Sequence, residues 1–150
     1  MEIRKMSIDD YEEVFGLWRS TPGIGLNDID DSKTGIEKYL KRNPNTCFVA
    51  IVSGKIVGVI MSGHDGRRGF IYHTAVAVAY RNKGIGSQLV ENVLRALEDE
   101  GIHKVALVVY DTNEVGNKFW ENQGFSVRKD LMYRDKALRE LKMLDTTQIN

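Results

Sequence analysis

The chain has 150 residues, with 21 basic and 21 acidic side chains that balance to a formal net charge of zero. That length fits one domain with a core of its own, and the balanced charge argues against a nucleic-acid binder. The single cysteine, Cys47, rules out a disulfide framework or a cysteine metal cluster, and no apolar run approaches membrane-spanning length.

Met1-Glu2-Ile3-Arg4-Lys5 lacks the apolar stretch of a signal peptide, so a reducing cytoplasm is the expected compartment. Glu2 to Met6 alternates weakly, as a first strand would. Ser7 and Asp10 form a variant of the capping box, and Tyr11, Val14, Phe15 and Trp18 then fall at helical spacing. This first helix ends before Pro22. Ser20 to Thr34 is the longest irregular piece, rich in Gly and Asp, and has the character of a lid over an active site. Its acids Asp28, Asp30 and Asp31 either attract a cationic amine or are solvated loop residues, one of them capping the next helix. That second helix runs from Ser32 to Lys41, and Asn43-Pro44-Asn45 stops it.

Thr46 to Val52 and Lys55 to Met61 read as strands joined at Ser53-Gly54. Cys47 falls on the first of them as a small strand residue, with no evident His or Asn partner to make it a nucleophile. His64-Asp65-Gly66-Arg67-Arg68-Gly69 follows as a hairpin tip, although its arginines leave a functional loop open.

The centre of the sequence is Arg81-Asn82-Lys83-Gly84-Ile85-Gly86-Ser87. An apolar run, Phe70 to Val78, leads into it. An amphipathic run, Ile85 to Glu100, leads out, with Ile85, Leu89, Val93, Leu94 and Leu97 on one face. A second apolar run, Lys104 to Tyr110, follows and reads as a parallel strand covered on both faces. The whole is a βαβ unit with glycines where the helix begins. The first N–H groups of a helix lack intrahelical partners and sit at the positive end of its dipole, so such a turn can bind a phosphate. Gly84 and Gly86 let an anion approach the backbone, while Arg81, Lys83 and Ser87 add charge and a hydroxyl. The same residues also suit an ordinary tight turn. A P-loop fits badly, because Lys83 precedes its glycine. A dinucleotide-binding glycine motif fits badly too, because Leu89 stands at its last small position, although Asp111 could pose as its ribose-binding acid.

Glu114 to Gln123 is a short helix, Phe125 to Arg128 and Met132 to Leu138 read as two last strands, and Leu141 to Asn150 reads as a frayed tail. Hairpins first and one parallel unit later predict an α/β fold. Its central sheet is mixed and mostly antiparallel, with about six to seven strands flanked by helices.

Arg81-x-x-Gly84-x-Gly86, preceded by Thr74-Ala75-Val76-Ala77-Val78-Ala79-Tyr80, resembles the acyl-CoA pyrophosphate loop of the GNAT superfamily of N-acetyltransferases. Asn113-Glu114-Val115-Gly116-Asn117-Lys118-Phe119-Trp120, running into Gly124-Phe125, resembles that family's second signature. The resemblance implies the same sheet architecture and direct acetyl transfer from acetyl-CoA, as co-substrate, to an amine, with no metal. It also implies that the backbone at Val76 and Val78 meets the pantetheine arm. Arg81, Asn82, Lys83, Gly84, Ile85, Gly86 and Ser87 would cradle the pyrophosphate, and Asn113 would reach the pantetheine between the two parallel strands.

An amine attacks only when unprotonated, so a base helps. Tyr72 and His73 lie on the strand before the loop and are expected to point to opposite faces. Histidine titrates near neutrality, which makes His73 the candidate base, with packing as its alternative role. Some relatives carry a Glu on this strand, and this chain does not. Trp120 stands where many relatives carry a Tyr that protonates the departing thiolate, and an indole is no useful acid. Trp120 is therefore expected to pack. Tyr133 is the candidate acid, the alternatives being an ordinary strand residue or unassisted thiolate departure. The expected partner is a small-molecule or peptide amine, with no nucleic acid or membrane, and a homodimer is left open. A non-catalytic acyl-CoA-binding protein is the alternative function.

Overall fold

A computed structural model describes residues 1–145. Five strands form the central sheet in the order β1 (Glu2–Lys5), β3 (Phe48–Val52), β4 (Lys55–His64), β5 (Gly69–Val76) and β6 (Val105–Ala106). Every pairing is antiparallel except the last, where Gly69 faces Val105 and Phe70 faces Ala106 in parallel. The mixed sheet and its single parallel unit are as the sequence predicts.

β4 is the centre of the core, because both of its faces are covered. Its residues from Ile56 to Gly63 are all buried. One face packs under α1 (Tyr11–Arg19) and α2 (Lys33–Arg42), with Val14, Trp18, Ile36, Val49 and Val59 in one cluster. The other packs under α3 (Ile85–Asp99), whose Ile85, Leu89, Val90, Val93 and Leu97 are buried with Val57 and Ile60. Burying a side chain of this size contributes about 1.5–3 kcal/mol, so the α3 face is a principal anchor of the helix.

Local chemistry sets the element ends as expected. Ser7 N–H donates to Asp10 Oδ2 at 2.9 Å, and Asp10 also takes both guanidinium nitrogens of Arg4 at 2.8 Å. At α2 the cap is Ser32 rather than one of the acids before it, its Oγ accepting from the Gly35 N–H at 3.0 Å. Ser53 and Gly54 both adopt positive φ, the mirror-image turn that matches the twist of a hairpin. Asp65 Oδ1 accepts from the N–H groups of Arg67 and Arg68, so its carboxylate closes the β4–β5 tip. Cys47 is buried against the Ser62 carbonyl, and burial pushes its thiol up to about 12, as befits a packing residue.

Three expectations need correction. Phe125–Arg128 and Met132–Leu138 form no strands, so the central sheet has five strands rather than six or seven. Both stretches run as irregular chain outside the sheet, and Val127, Met132 and Leu138 are exposed, so their apolar side chains have no face to bury. The apolar run after α3 pairs for only two residues and then leaves the sheet, so Val108 and Tyr110 are 56% and 55% exposed rather than covered on both faces. Within the expected tail, Met143–Leu144 (β7) pairs antiparallel with Leu26–Asn27 (β2) as a separate ladder, and residues 146–150 lie outside the described residues. α4 (Glu114–Asn122) matches its expected span closely.

Candidate active site

The departure of residues 107–110 from β5 opens a cleft of about 2350 Å³. Tyr72, His73 and Val76 line one wall, and Val108, Val109 and Tyr110 line the other. Drug-sized pockets occupy about 300–1,000 Å³, so this open cleft exceeds what one small molecule fills. The irregular segment after α1 runs along the mouth. A Cβ on Gly23 would sit 2.8 Å from Asn113 Nδ2, and one on Gly25 would sit 2.8 Å from the Tyr110 hydroxyl. The lid-like segment of the sequence is therefore part of the cleft.

One end of the cleft is the glycine loop. Gly84 is the N-cap of α3 at φ 80°, a conformation that favours glycine. Gln88 N–H donates to the Gly84 carbonyl, the first bond of the helix. The N–H groups from Asn82 through Ser87 donate to no protein group among the described residues. Consecutive unpaired amides at a positive helix end form a concave anion site, so the loop fits a pyrophosphate. Lys83 is exposed beside them, its Nζ 5.9 Å from the Tyr80 ring centroid.

Other loop residues act differently from a free phosphate grip. Arg81 Nε donates to the Val76 carbonyl at 3.0 Å, which ties the loop to the end of β5. Val78 lies past the strand, in a single 3-10 turn spanning Val78–Tyr80, and is exposed. Gly86 faces Phe119, because a Cβ there would lie 2.9 Å from Cε1 and 3.1 Å from Cζ of that ring. Its missing side chain makes room for α4. Asn113 caps α4, its Oδ1 accepting from Gly116 N at 2.9 Å, and its Nδ2 faces the cleft mouth.

The other end gathers the titratable groups. A bulge interrupts β5 between the Ala75–Val59 and Tyr72–Met61 pairs, so His73 and Thr74 together oppose Ile60. Strict alternation would send Tyr72 and His73 to opposite faces. The bulge instead turns both rings into the cleft, with centroids 6.3 Å apart. His73 Nε2 lies 2.6 Å from Asp31 Oδ1, a contact across 42 residues of sequence that no spacing rule signals. A carboxylate from the segment at the cleft mouth thus meets the imidazole on β5. Burial pushes the Tyr72 phenol up, with Tyr133 and Asp30 adding to it. Tyr133 stands on the rim of the same cleft and is 69% exposed, on irregular chain rather than a strand. Trp120 packs edge-on against Phe119 and Phe125, with centroids 5.0 and 5.2 Å away, in line with a packing role.

Residues 11–125 match the model of the acetyltransferase (GNAT) family. An acetyltransferase of Sodalis glossinidius is 34% identical over 140 residues, 93% of this chain and 97% of that protein. One of Photorhabdus laumondii is 36% identical over 118 residues, 76% of this chain and 78% of that protein. Among solved structures, Ard1 from Thermoplasma volcanium superposes with a TM-score of 0.73 at 24% identity, covering 85% of this chain and 83% of that one. An aminoglycoside N-acetyltransferase in complex with CoA superposes with a TM-score of 0.69 at 20% identity, covering 91% of this chain and all of that one.

Proposed function

The chain belongs to the GNAT acetyltransferase family and is an acyltransferase, and from that premise we propose that it moves the acetyl group of acetyl-CoA directly to a primary amine. The observation that carries the donor assignment is the run of unpaired N–H groups from Asn82 to Ser87, at one end of the cleft. In this reading the pyrophosphate lies on those amides and Lys83 adds charge. The pantetheine runs between Val76 and the 107–110 segment, with the Asn113 carboxamide at its edge.

The amine nitrogen attacks the thioester carbonyl carbon. The C–N bond forms, the C–S bond breaks with its electron pair on sulfur, and the amine loses a proton. His73 is the base that takes this proton, since its ring lines the cleft beside Tyr72. In this reading Tyr133, whose ring lines the rim, protonates the departing thiolate. Trp120 holds Phe119 and Phe125 and takes no proton. The acceptor is a small-molecule or peptide amine, and the solved aminoglycoside acetyltransferases of this fold put sugar amines among the classes to test.

Thermal shift and thiol release test the reading together. Acetyl-CoA is expected to raise the melting temperature while NAD and ATP do not. A panel of aminoglycosides, polyamines, amino acids and peptide N-termini is expected to yield at least one amine that releases thiol above the hydrolysis background. Stabilisation by acetyl-CoA with no turnover across the panel would favour a non-catalytic acyl-CoA-binding protein.

A further inference from the structure

His73 sits where β5 is least regular. Its φ of 22° falls in the left-handed region, which a bulky side chain occupies only when its surroundings fix it there. Two groups do so. The fully buried Trp18 indole meets the imidazole edge-on with centroids 4.9 Å apart, and Asp31 binds Nε2.

Asp31 is itself held on every side. Its side chain is 6% exposed. Its Oδ2 accepts from Asn27 N–H at 2.8 Å, and its carbonyl accepts from the Tyr11 hydroxyl at 2.7 Å. Asn27 Oδ1 in turn accepts from the N–H groups of Ile29 and Asp30 at 3.0 and 2.7 Å, which folds the segment around the carboxylate. An ionised carboxylate only accepts hydrogen bonds, so the His73 nitrogen facing it must carry a proton. The Nδ1 atom has no hydrogen-bond partner among the described residues.

We infer that Asp31 is a positioning residue for acetyl transfer: it holds neutral His73 as the Nε2–H tautomer, leaving the Nδ1 lone pair as the base that takes the acceptor's proton. The inference rests on the acetyl-transfer reading above. As Nδ1 takes the proton, the ring becomes an imidazolium with the Asp31 carboxylate already against its other nitrogen, which stabilises the charge where it forms. The amine's proton is thus accounted for at a named atom, and the carboxylate stays ionised throughout.

Asp31→Asn tests this, because the site dictates how the new carboxamide must lie. The Asn27 N–H needs an acceptor, so the carboxamide oxygen turns to it and the NH2 group faces His73 Nε2. That donor can pair only with an unprotonated Nε2, so the proton moves to Nδ1 and the base is lost. Long-range proton–nitrogen NMR correlations are expected to show Nε2–H in the wild type and Nδ1–H in Asp31→Asn. With the most active amine of the panel, kcat is expected to fall about 10²–10⁴-fold, the range of a lost general base, while the calorimetric Kd for acetyl-CoA holds. A wild-type Nδ1–H tautomer overturns the inference, and that measurement needs no variant. An Asp31→Asn protein that switches tautomer and keeps its kcat overturns it too, as does one that keeps the Nε2–H tautomer. If no amine is turned over while the wild type shows Nε2–H, the failure lies with the acetyl-transfer reading and not with the Asp31–His73 geometry.

Discussion

Ser87→Glu separates what the glycine loop does for the helix from what it does for a ligand. Ser87 lies in the first turn of α3, where its N–H is unpaired and its Oγ accepts from Gln123 Nε2 at 2.8 Å. A carboxylate at this position meets the positive end of the dipole, worth about 0.3–1 kcal/mol to the free protein, and can still accept from Gln123. Toward a pyrophosphate on the same amides its effect is opposite. Two like charges about 5 Å apart at an effective dielectric constant of about 40 repel by about 1.7 kcal/mol. A pyrophosphate carrying about two such charges would lose about 3 kcal/mol, and salt screening reduces this to roughly 10–100-fold in Kd. Unfolding followed by circular dichroism should therefore show an unchanged or slightly raised melting temperature. Calorimetric titration should show acetyl-CoA affinity reduced by that factor, with the loss shrinking as salt is added. Equal acetyl-CoA affinity in variant and wild type at low salt would refute the placement of the pyrophosphate.

Three further outcomes are expected. Gly86→Ala brings a Cβ to 2.9 Å from the Phe119 ring. Overpacking of about 1–3 kcal/mol outweighs a helix-propensity gain of up to about 1 kcal/mol, and Phe119→Leu in the same chain should restore most of the loss in urea unfolding; simple additivity would contradict this. The Arg4 guanidinium beside Asp10 holds that carboxyl below the usual carboxylate range. The contribution is present above the unfolded-state value of about 4 and is lost as pH falls through the lower folded-state value, so Asp10→Asn should be less stable by about 1–3 kcal/mol at neutral pH and converge with wild type in acid. A gap that persists in strong acid would assign the effect to something else. Tyr133→Phe keeps the ring on the rim of the cleft, so melting temperature should hold while pre-steady-state thiol release slows about 10²–10⁴-fold; an unchanged chemical step would mean the thiolate leaves without this phenol.

The parts of the molecule that local chemistry specifies were legible in the sequence. Ser7 with Asp10, Ser53-Gly54 and the Asp65 turn all act within a few residues, and α3 shows its buried face as a simple period. The glycine loop was legible for the same reason, although Gly86 proved to accommodate Phe119 and Arg81 to tie the loop to β5. What could not be read depends on long-range placement. Phe125–Arg128 and Met132–Leu138 read as strands, but a strand needs a partner to pair with, and neither stretch joins a sheet. The bulge that turns Tyr72 and His73 into one cleft breaks the period on which the opposite-face expectation rested. Asp31 was visible as an acid in a Gly- and Asp-rich segment. Its contact with His73 exists only because the segment after α1 crosses the mouth of the cleft.

In the acetyl-transfer reading the amides from Asn82 to Ser87 hold the pyrophosphate of acetyl-CoA. Backbone amide NMR of the wild-type protein titrated with acetyl-CoA measures this directly, since N–H groups that begin to donate to phosphate oxygens shift strongly downfield. The expected result is saturable downfield shifts concentrated at Asn82 to Ser87, reproduced by CoA and reduced for pantetheine, which lacks the pyrophosphate. Saturable binding that leaves those amides unmoved would mean the pyrophosphate lies elsewhere.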